Sequence, residues 1–274
     1  MNTNDDTGRG RIWFARLAGD APLADGYPDS VLVADTRLGG RGARLIAVVP
    51  DAGNRFPRAR HGEVGLIEGW QLARAVRTLV DAERARTKKS AIVAVIDVPS
   101  QAYGRREEAY GIHQALAAAA AAYADARLAG HPVIGLIVGK AISGGFLAHG
   151  YQANRLVAFN DAGVEVHAMG KASAARITLR SVEALERLAA SVPPMAYDIG
   201  NFATLGLLWR SLDVEQPDQP TDADLRAVHA ALEAALSDID REPGRGLAGR
   251  LAGPNRAASA RVRELLRAQW AAAD

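Results

Sequence analysis

Residues 133–146 have the sequence VIGLIVGKAISGGF. The first six form an apolar run, which is typical of a strand buried on both faces of a sheet. Ser143, Gly144 and Gly145 then allow a tight turn into a helix and a close approach of the backbone to a ligand. The first N–H groups of such a helix have no partner within it, so they suit a developing oxyanion. The alternative is a tight turn without a ligand, because glycine-rich turns are common.

The rest of the chain alternates between short apolar runs and segments of helical periodicity. Strands are predicted at residues 31–34, 45–49, 91–98, 156–159 and 164–168, and helices at residues 66–85, 107–128, 171–190, 197–207, 225–239 and 257–270. Irregular structure is predicted at residues 51–63, 100–106, 216–221 and 244–254, which are rich in Gly, Pro or charge. Strands that alternate with helices imply right-handed crossovers and an α/β fold.

The composition argues against several classes of function. The 274 residues include 33 basic and 31 acidic side chains, and this balance does not favour nucleic acid as a partner. The chain has no cysteine, which removes disulfides and thiolate metal ligands. It has no His-Glu-x-x-His motif, so no metal is expected. The apolar run at residues 133–138 is too short to span a membrane, and residues 1–11 do not resemble a signal peptide. We therefore expect a cytoplasmic protein without a membrane partner.

A second turn, residues 99–104 with the sequence PSQAYG, follows the strand predicted at residues 91–98. The carboxyl ends of parallel strands lie along one edge of a sheet, where ligands bind in open α/β folds. The two turns could therefore supply one N–H each to a single oxygen. Ser143 has no base near it in the sequence, so a nucleophilic role is not predicted.

Several polar side chains have a structural and a functional interpretation. His61 is expected to be a solvated loop residue, although it could meet a carboxylate. His149 is expected to be a packing residue, and the pattern around His167 does not show which way that residue faces. Tyr103 and Tyr110 are expected to pack at the core or its rim, with proton donation as the alternative.

Four motifs together resemble biotin-dependent acyl-CoA carboxyltransferases. They are AVIDVPS at residues 94–100, similar to V-D-V-P-G-F; EAYGI at 108–112, similar to E-Y-G-G-I; KAISGG at 140–145, similar to R-K-A-Y-G-G-A; and VEVHAMG at 164–170, similar to A-E-I-A-V-M-G. The order and the spacing of these motifs agree with those of the carboxyltransferases over about residues 45–177. This resemblance implies the crotonase (ClpP-like) fold of repeated β-β-α units. The family motif has Gly where this chain has Ser100, a change that keeps the backbone N–H.

A closer resemblance is to the gamma subunits of biotin-independent malonate decarboxylases. It rests on PDAGNRFPRARHGEVGL at residues 50–66 and SGGFLAHG at residues 143–150, supported by residues 11–14 and 31–35. The resemblance extends to about Asp213. It implies a crotonase-type carboxyltransferase-like domain at residues 1–213. Residues 214–274 would form a helical C-terminal extension packed on the core or on a partner.

The implied reaction is decarboxylation of a malonyl thioester on an acyl carrier protein, which gives the acetyl thioester and CO2. The enolate left behind would be stabilised by backbone donors. The implied catalytic positions are Ser100, Ala141, Gly144 and Gly145, and the implied substrate contacts are Gln101, Gly104, Tyr110 and Ser143.

The resemblance also implies partners and cofactors. A beta subunit would bind the thioester, an acyl carrier protein subunit would deliver it on a CoA-derived prosthetic group, and an alpha subunit would act as the acyl-carrier transferase. This chain would hold no biotin, no metal and no covalently bound cofactor. Two alternatives stay open: a carboxyltransferase subunit of a biotin-dependent malonate decarboxylase or acyl-CoA carboxylase, and a non-catalytic subunit that docks the carrier protein.

Overall fold

The structure is a computed structural model that describes residues 8–242 and 246–272. The predictions made for residues 1–7, 243–245 and 273–274 lie outside the described residues. The strands are β1 (Val31–Leu38), β2 (Arg41–Val48), β3 (Ala91–Val98), β4 (Val133–Ile142), β5 (Arg155–Phe159), β6 (Glu165–His167) and β7 (Arg210–Leu212). The helices are α1 (Arg9–Ala18), α2 (Leu66–Ala82), α3 (Arg105–Ala109), α4 (Ile112–Leu128), α5 (Ser143–Ala148), α6 (Lys171–Ile177), α7 (Val182–Ala189), α8 (Ile199–Thr204), α9 (Asp222–Arg241) and α10 (Ala257–Ala271).

The strands form one mixed sheet in the order β1-β2-β3-β4-β5-β7, in which β1 is antiparallel to β2 and the other pairs are parallel. β4 is the longest strand and pairs with β5 through its first half and with β6 through residues 140–142. The apolar runs of β3 and β4 are buried because neighbouring strands and helices cover them. The predicted α/β architecture is confirmed, and the strand predicted at residues 133–138 extends to Ile142.

The prediction was incomplete at four places. Helix α1 and the three-residue strand β7 were not predicted. The helix predicted at residues 107–128 is two helices, because Gly111 has a positive φ of 81° and breaks it. The helix predicted at residues 171–190 is also two helices, which are separated by a break at Leu179, where φ is 55°.

Helix α1 packs against the sheet through a buried apolar face that includes Trp13, Phe14 and Leu17. The rings of Trp13 and Phe159 meet edge to face at 4.7 Å between centroids. The indole N–H of Trp13 donates to the Pro217 carbonyl oxygen at 2.8 Å. Helix α1 therefore contacts both the central sheet and the segment that leads into the C-terminal helices.

The two long C-terminal helices differ in burial. Helix α9 places Val228, Leu232 and Ile239 in the same core as the sheet. Helix α10 has no buried side chain, and Leu266 and Trp270 are exposed. Among the described residues, no helix combines the length and the apolar character needed to cross a membrane.

The buried carboxyl group of Glu68 holds the loop of residues 51–63 in place through hydrogen bonds. Glu68 is fully buried, and its Oε1 accepts hydrogen bonds from Ser30 Oγ and Asn54 Nδ2, both at 2.7 Å. Its Oε2 accepts the N–H of Gly65 at 3.0 Å. Three donors from separate parts of the chain thus converge on one side chain, which fixes the loop of residues 51–63 against the core.

Candidate active site

Two turns meet at the carboxyl ends of β3 and β4 because the register between these strands shifts. Ile96 pairs with Ile137, but Val98 pairs with Ala141, so β4 has two more residues than β3 between these pairs. The carboxylate of Asp97 lies at the irregularity, where its Oδ1 accepts the N–H of Lys140 at 3.0 Å. The extra residues extend β4 far enough for its turn into α5 to reach the turn after β3.

Gly145 lies directly against the peptide that joins Ser100 and Gln101. A Cβ added at Gly145 would be 2.3 Å from the Ser100 carbonyl oxygen and 2.7 Å from its carbonyl carbon. The same peptide is also held by Val64, whose N–H donates to the Ser100 oxygen at 3.1 Å. Glycine is therefore needed at position 145 for packing between the two turns, in addition to any approach by a ligand.

Gln101 joins the turns through its side chain. Its Oε1 accepts hydrogen bonds from Ser143 Oγ and from the backbone N–H of Gly144, both at 2.6 Å. Ser143 has a φ of 62°, a left-handed conformation that is uncommon for a residue with a side chain. These two hydrogen bonds hold this unusual turn in place. The expectation that Gly144 offers a free N–H is thus wrong.

The Ser100–Gln101 peptide lines a cavity of about 380 Å³. The backbone N–H groups of Ser100 and Gln101 form no hydrogen bond with another described residue. Arg58, His61 and Tyr103 also line this cavity, in which the Tyr103 hydroxyl lies 3.4 Å from Ser173 Oγ. The cavity is therefore bordered by two residues whose backbone N–H groups are unpaired among the described residues, and by several polar side chains.

A second, mostly apolar cavity of about 320 Å³ lies beside the β4–α5 turn. Ser143, Phe146 and His167 are among its lining residues. The His167 ring stacks on Tyr197 with 4.0 Å between centroids and 18° between planes. Burial lowers the pKa of His167, which favours the neutral form of the ring.

The family model for the malonate decarboxylase gamma subunit matches residues 59–270. The chain belongs to the malonate decarboxylase gamma-subunit family. It is 35% identical over 179 residues to the malonyl-S-ACP:biotin-protein carboxyltransferase of Malonomonas rubra, a match that covers 64% of this chain and 61% of that protein. The chain thus spans about three-fifths of the length of this curated relative.

Solved structures of this family have the same fold. The chain is 65% identical to a chain of a Pseudomonas malonate decarboxylase hetero-tetramer in complex with coenzyme A, with a TM-score of 0.91 and coverage of 96% and 99% of the two chains. It is 60% identical to a chain of the Pseudomonas MdcD–MdcE hetero-dimer, with a TM-score of 0.89 and coverage of 96% and 100%. Transcarboxylase 12S, at 22% identity, a TM-score of 0.61 and coverage of 83% and 40%, shares the fold alone. The predicted crotonase fold is confirmed.

Within this gamma-subunit fold, the predicted site residues separate into three groups. Ser100 and Gln101 line the polar cavity, and Ser143 lines the apolar one. Gly144 and Gly145 join the two turns. Ala141, Gly104 and Tyr110 line neither cavity.

The structure places each of these three residues elsewhere, and their predicted roles stay predictions. Ala141 is fully buried in β4, with Val98 of β3 on one side and Val166 of β6 on the other, so the expected donor belongs to the sheet. Gly104 begins α3. Tyr110 is 63% exposed, and its ring packs edge to face against Phe56.

The sequence did not show that some of the lining residues lie together. Ser173 lies 70 residues after Tyr103, and only the folded sheet brings the two hydroxyls together. Arg58 and His61 lie in the loop fastened by Glu68, and that loop was predicted without a position relative to the strands. Within residues 8–242 and 246–272, no group of three or more His, Asp or Glu side chains is arranged to hold a metal ion.

His149 is a packing residue, as predicted. It is fully buried, its Nε2 lies 2.9 Å from the Val95 carbonyl oxygen, and its Nδ1 lies 3.0 Å from the Tyr123 hydroxyl. The carbonyl can only accept, so Nε2 carries the proton and Nδ1 accepts from the hydroxyl. Burial lowers the pKa of His149 from 6.5 to about 4.

This buried imidazole predicts a pH-dependent stability. The unfolded chain binds more protons than the folded chain between the unfolded pKa of 6.5 and the folded pKa of about 4. The stabilisation is therefore complete above pH 6.5 and is lost as the pH falls towards 4. Between pH 7 and pH 5 we expect His149 to lower the free energy of unfolding by about 2 kcal/mol.

Urea unfolding of the wild type and of His149→Gln at both pH values measures this effect, and the variant should lose less stability on acidification. His113→Gln, at an exposed position, is the control and should keep the wild-type pH dependence. An NMR titration of the His149 ring gives the pKa directly in the wild type. A ring that titrates near pH 6.5 would contradict the prediction.

Proposed function

We propose that this chain is the gamma subunit of a cytoplasmic malonate decarboxylase complex. Together with a beta subunit, it decarboxylates malonyl-S-acyl carrier protein to acetyl-S-acyl carrier protein and CO2. The observation that carries the proposal is that the backbone N–H groups of Ser100 and Gln101 are unpaired among the described residues, and both residues lie at the wall of a cavity. The 65% identity to a chain of a Pseudomonas malonate decarboxylase supports the choice of reaction.

The chemistry needs donors for a charge that develops during the reaction. When the bond between the carboxyl carbon and the methylene carbon breaks, CO2 leaves and its electron pair passes to the thioester as an enolate. The negative charge develops on the thioester oxygen, where backbone N–H groups stabilise it. The methylene carbon then takes up a proton, which completes the acetyl thioester. In other enzymes, one such donor contributes on the order of 10²–10³ in kcat.

The polar cavity is partly open, and this chain supplies one wall of it. We propose that the beta subunit supplies the opposite wall and binds the thioester. An acyl carrier protein subunit would bring the malonyl group on its CoA-derived prosthetic group, and an alpha subunit would load that carrier by acyl transfer. The proposal needs no biotin, no metal and no cofactor bound covalently to this chain. The hetero-dimeric and hetero-tetrameric relatives support a heteromeric assembly.

Reconstitution tests the proposed function. The purified chain, the beta subunit and their complex are each given malonyl-S-acyl carrier protein, and release of CO2 is measured. We expect the complex to exceed either subunit alone on the order of a hundred-fold or more, because each subunit holds only part of the donor set. A chain that decarboxylates at the full rate by itself would contradict the need for a beta subunit.

A second candidate is a carboxyltransferase subunit of a biotin-dependent system. It is favoured by the 35% identity to the malonyl-S-ACP:biotin-protein carboxyltransferase of Malonomonas rubra. Avidin separates the two candidates, because it would stop a reaction that passes through biotin and leave a biotin-independent reaction unchanged. If the beta subunit alone kept the full rate of the complex, the chain would instead be a non-catalytic docking subunit.

A further inference from the structure

We propose that the side-chain amide of Gln101 donates a hydrogen bond to the thioester oxygen as negative charge develops on it. The proposal rests on the proposed function and adds a side-chain donor to the two backbone donors. Nothing in the backbone geometry alone requires a glutamine at this position. The contacts of its amide group, however, fix which of its two polar atoms is left for a ligand.

The orientation of the amide follows from its partners. The backbone N–H of Gly144 can only donate, so the atom of Gln101 that it contacts at 2.6 Å must be the oxygen, Oε1. Ser143 Oγ donates to the same oxygen at 2.6 Å. Two donors therefore hold Oε1 towards the β4–α5 turn. The Nε2 group is left with both of its N–H donors.

The Nε2 group of Gln101 has no hydrogen-bond partner among the described residues. Gln101 lines the polar cavity together with Ser100. The backbone N–H of Gln101 is also unpaired among the described residues. One cavity-lining residue thus has a main-chain and a side-chain donor that are both without a partner among the described residues. A pre-oriented donor stabilises a developing oxyanion without the cost of reorganisation during the reaction.

The Gly144 N–H thereby acquires an indirect role. The Gly144 N–H does not donate to a ligand itself. By binding Oε1 of Gln101, it leaves the Nε2 group of that amide as the donor for a ligand. The strained turn at Ser143 is part of the same arrangement, because its hydroxyl supports Oε1 from a second direction. Ser143 and Gly144 are positioning residues in this scheme, and Gln101 is the residue that contacts the substrate.

Two substitutions separate donation from support of the turn. Gln101→Glu keeps an oxygen for Ser143 and Gly144 but removes the N–H donors, and Gln101→Met removes both functions without adding charge. In the assembled complex we expect each variant to lower kcat by about 10²–10³, with a smaller change in KM. Gln114→Glu, the same chemical change at an exposed position of α4, should keep the wild-type kcat.

A binding measurement provides a readout that does not depend on turnover. The probe is a nitronate analogue of the acetyl thioester, whose charged oxygen imitates the enolate oxygen. Calorimetry should show weaker binding to both Gln101 variants in proportion to the loss in kcat. Assembly is checked by size, and folding by thermal unfolding.

The outcomes are distinct. A Gln101→Glu complex with wild-type kcat and analogue affinity, beside an impaired Gln101→Met complex, would show that Gln101 only supports the turn and would overturn the proposal. A loss of kcat without weaker binding of the analogue would also overturn it. A wild-type complex that releases no CO2 would instead refute the proposed function, and analogue binding would still test the donor role of Gln101.

Discussion

Gly145→Ala is expected to lower the kcat of the assembled complex by about 10²–10³, the loss typical of one misplaced oxyanion donor. The added methyl group would lie 2.3 Å from the Ser100 carbonyl oxygen, so the Ser100–Gln101 peptide has to move. Movement of that peptide would disturb the hydrogen bond that its oxygen accepts from the Val64 N–H. The measurement is turnover of the malonyl thioester by the reconstituted complex, with assembly checked by size and folding by thermal unfolding.

The matched control is Gly249→Ala. A Cβ at Gly249 meets no atom within 4 Å, so this variant carries the same chemical change without a clash. It should keep the wild-type kcat and melting temperature. We expect Gly145→Ala to unfold at a lower temperature as well, because the strain falls on the backbone. A fully active Gly145→Ala complex would remove the Ser100–Gln101 peptide from the mechanism.

Glu68→Ala should have the largest effect on stability. It would leave Ser30 Oγ, Asn54 Nδ2 and the Gly65 N–H without their acceptor in a buried site. An unsatisfied buried donor costs about 1–3 kcal/mol, and water entering the space would offset part of the sum. We expect the free energy of unfolding of the full chain to fall by about 3–5 kcal/mol in urea.

Glu108→Ala provides the comparison, because Glu108 is exposed on α3. Its stability should stay within about 0.5 kcal/mol of the wild type. A Glu68→Ala variant as stable as Glu108→Ala would show that the three donors find other partners. The loop of residues 51–63 would then not depend on the buried carboxyl group.

The strands at the centre of the sheet could be predicted because a strand that is buried on both faces appears in the sequence as a continuous apolar run. β3 and β4 are runs of Val, Ile, Leu and Ala of strand length. Helix α1 was missed because its apolar face is short and follows a polar, glycine-containing start. Strand β7 was missed because Arg210–Leu212 has neither the length nor the pattern of a strand, and pairing with β5 alone defines it.

The candidate site could be predicted only in part, for a different physical reason. The glycines at positions 144 and 145 indicated a tight turn, and the turn after β3 indicated the edge of the sheet. The contact between Gln101 and Gly144 joins residues 43 positions apart, and it depends on the register shift at Asp97. A local pattern cannot show that a backbone N–H will be occupied by a side chain from another turn.

The contact between Trp13 and Pro217 has a consequence for how the chain matures. The two residues are 204 positions apart, so the indole can find its acceptor only after most of the polypeptide has left the ribosome. The same delay applies to the ion pair of Arg9 with Asp218, at 2.7 Å. Closing such long loops costs conformational entropy before the contacts that stabilise the folded chain can form. During synthesis, the apolar face of α1 can pack on the sheet before these two polar contacts form, so the N-terminal helix is fixed to the C-terminal segment only at a late stage.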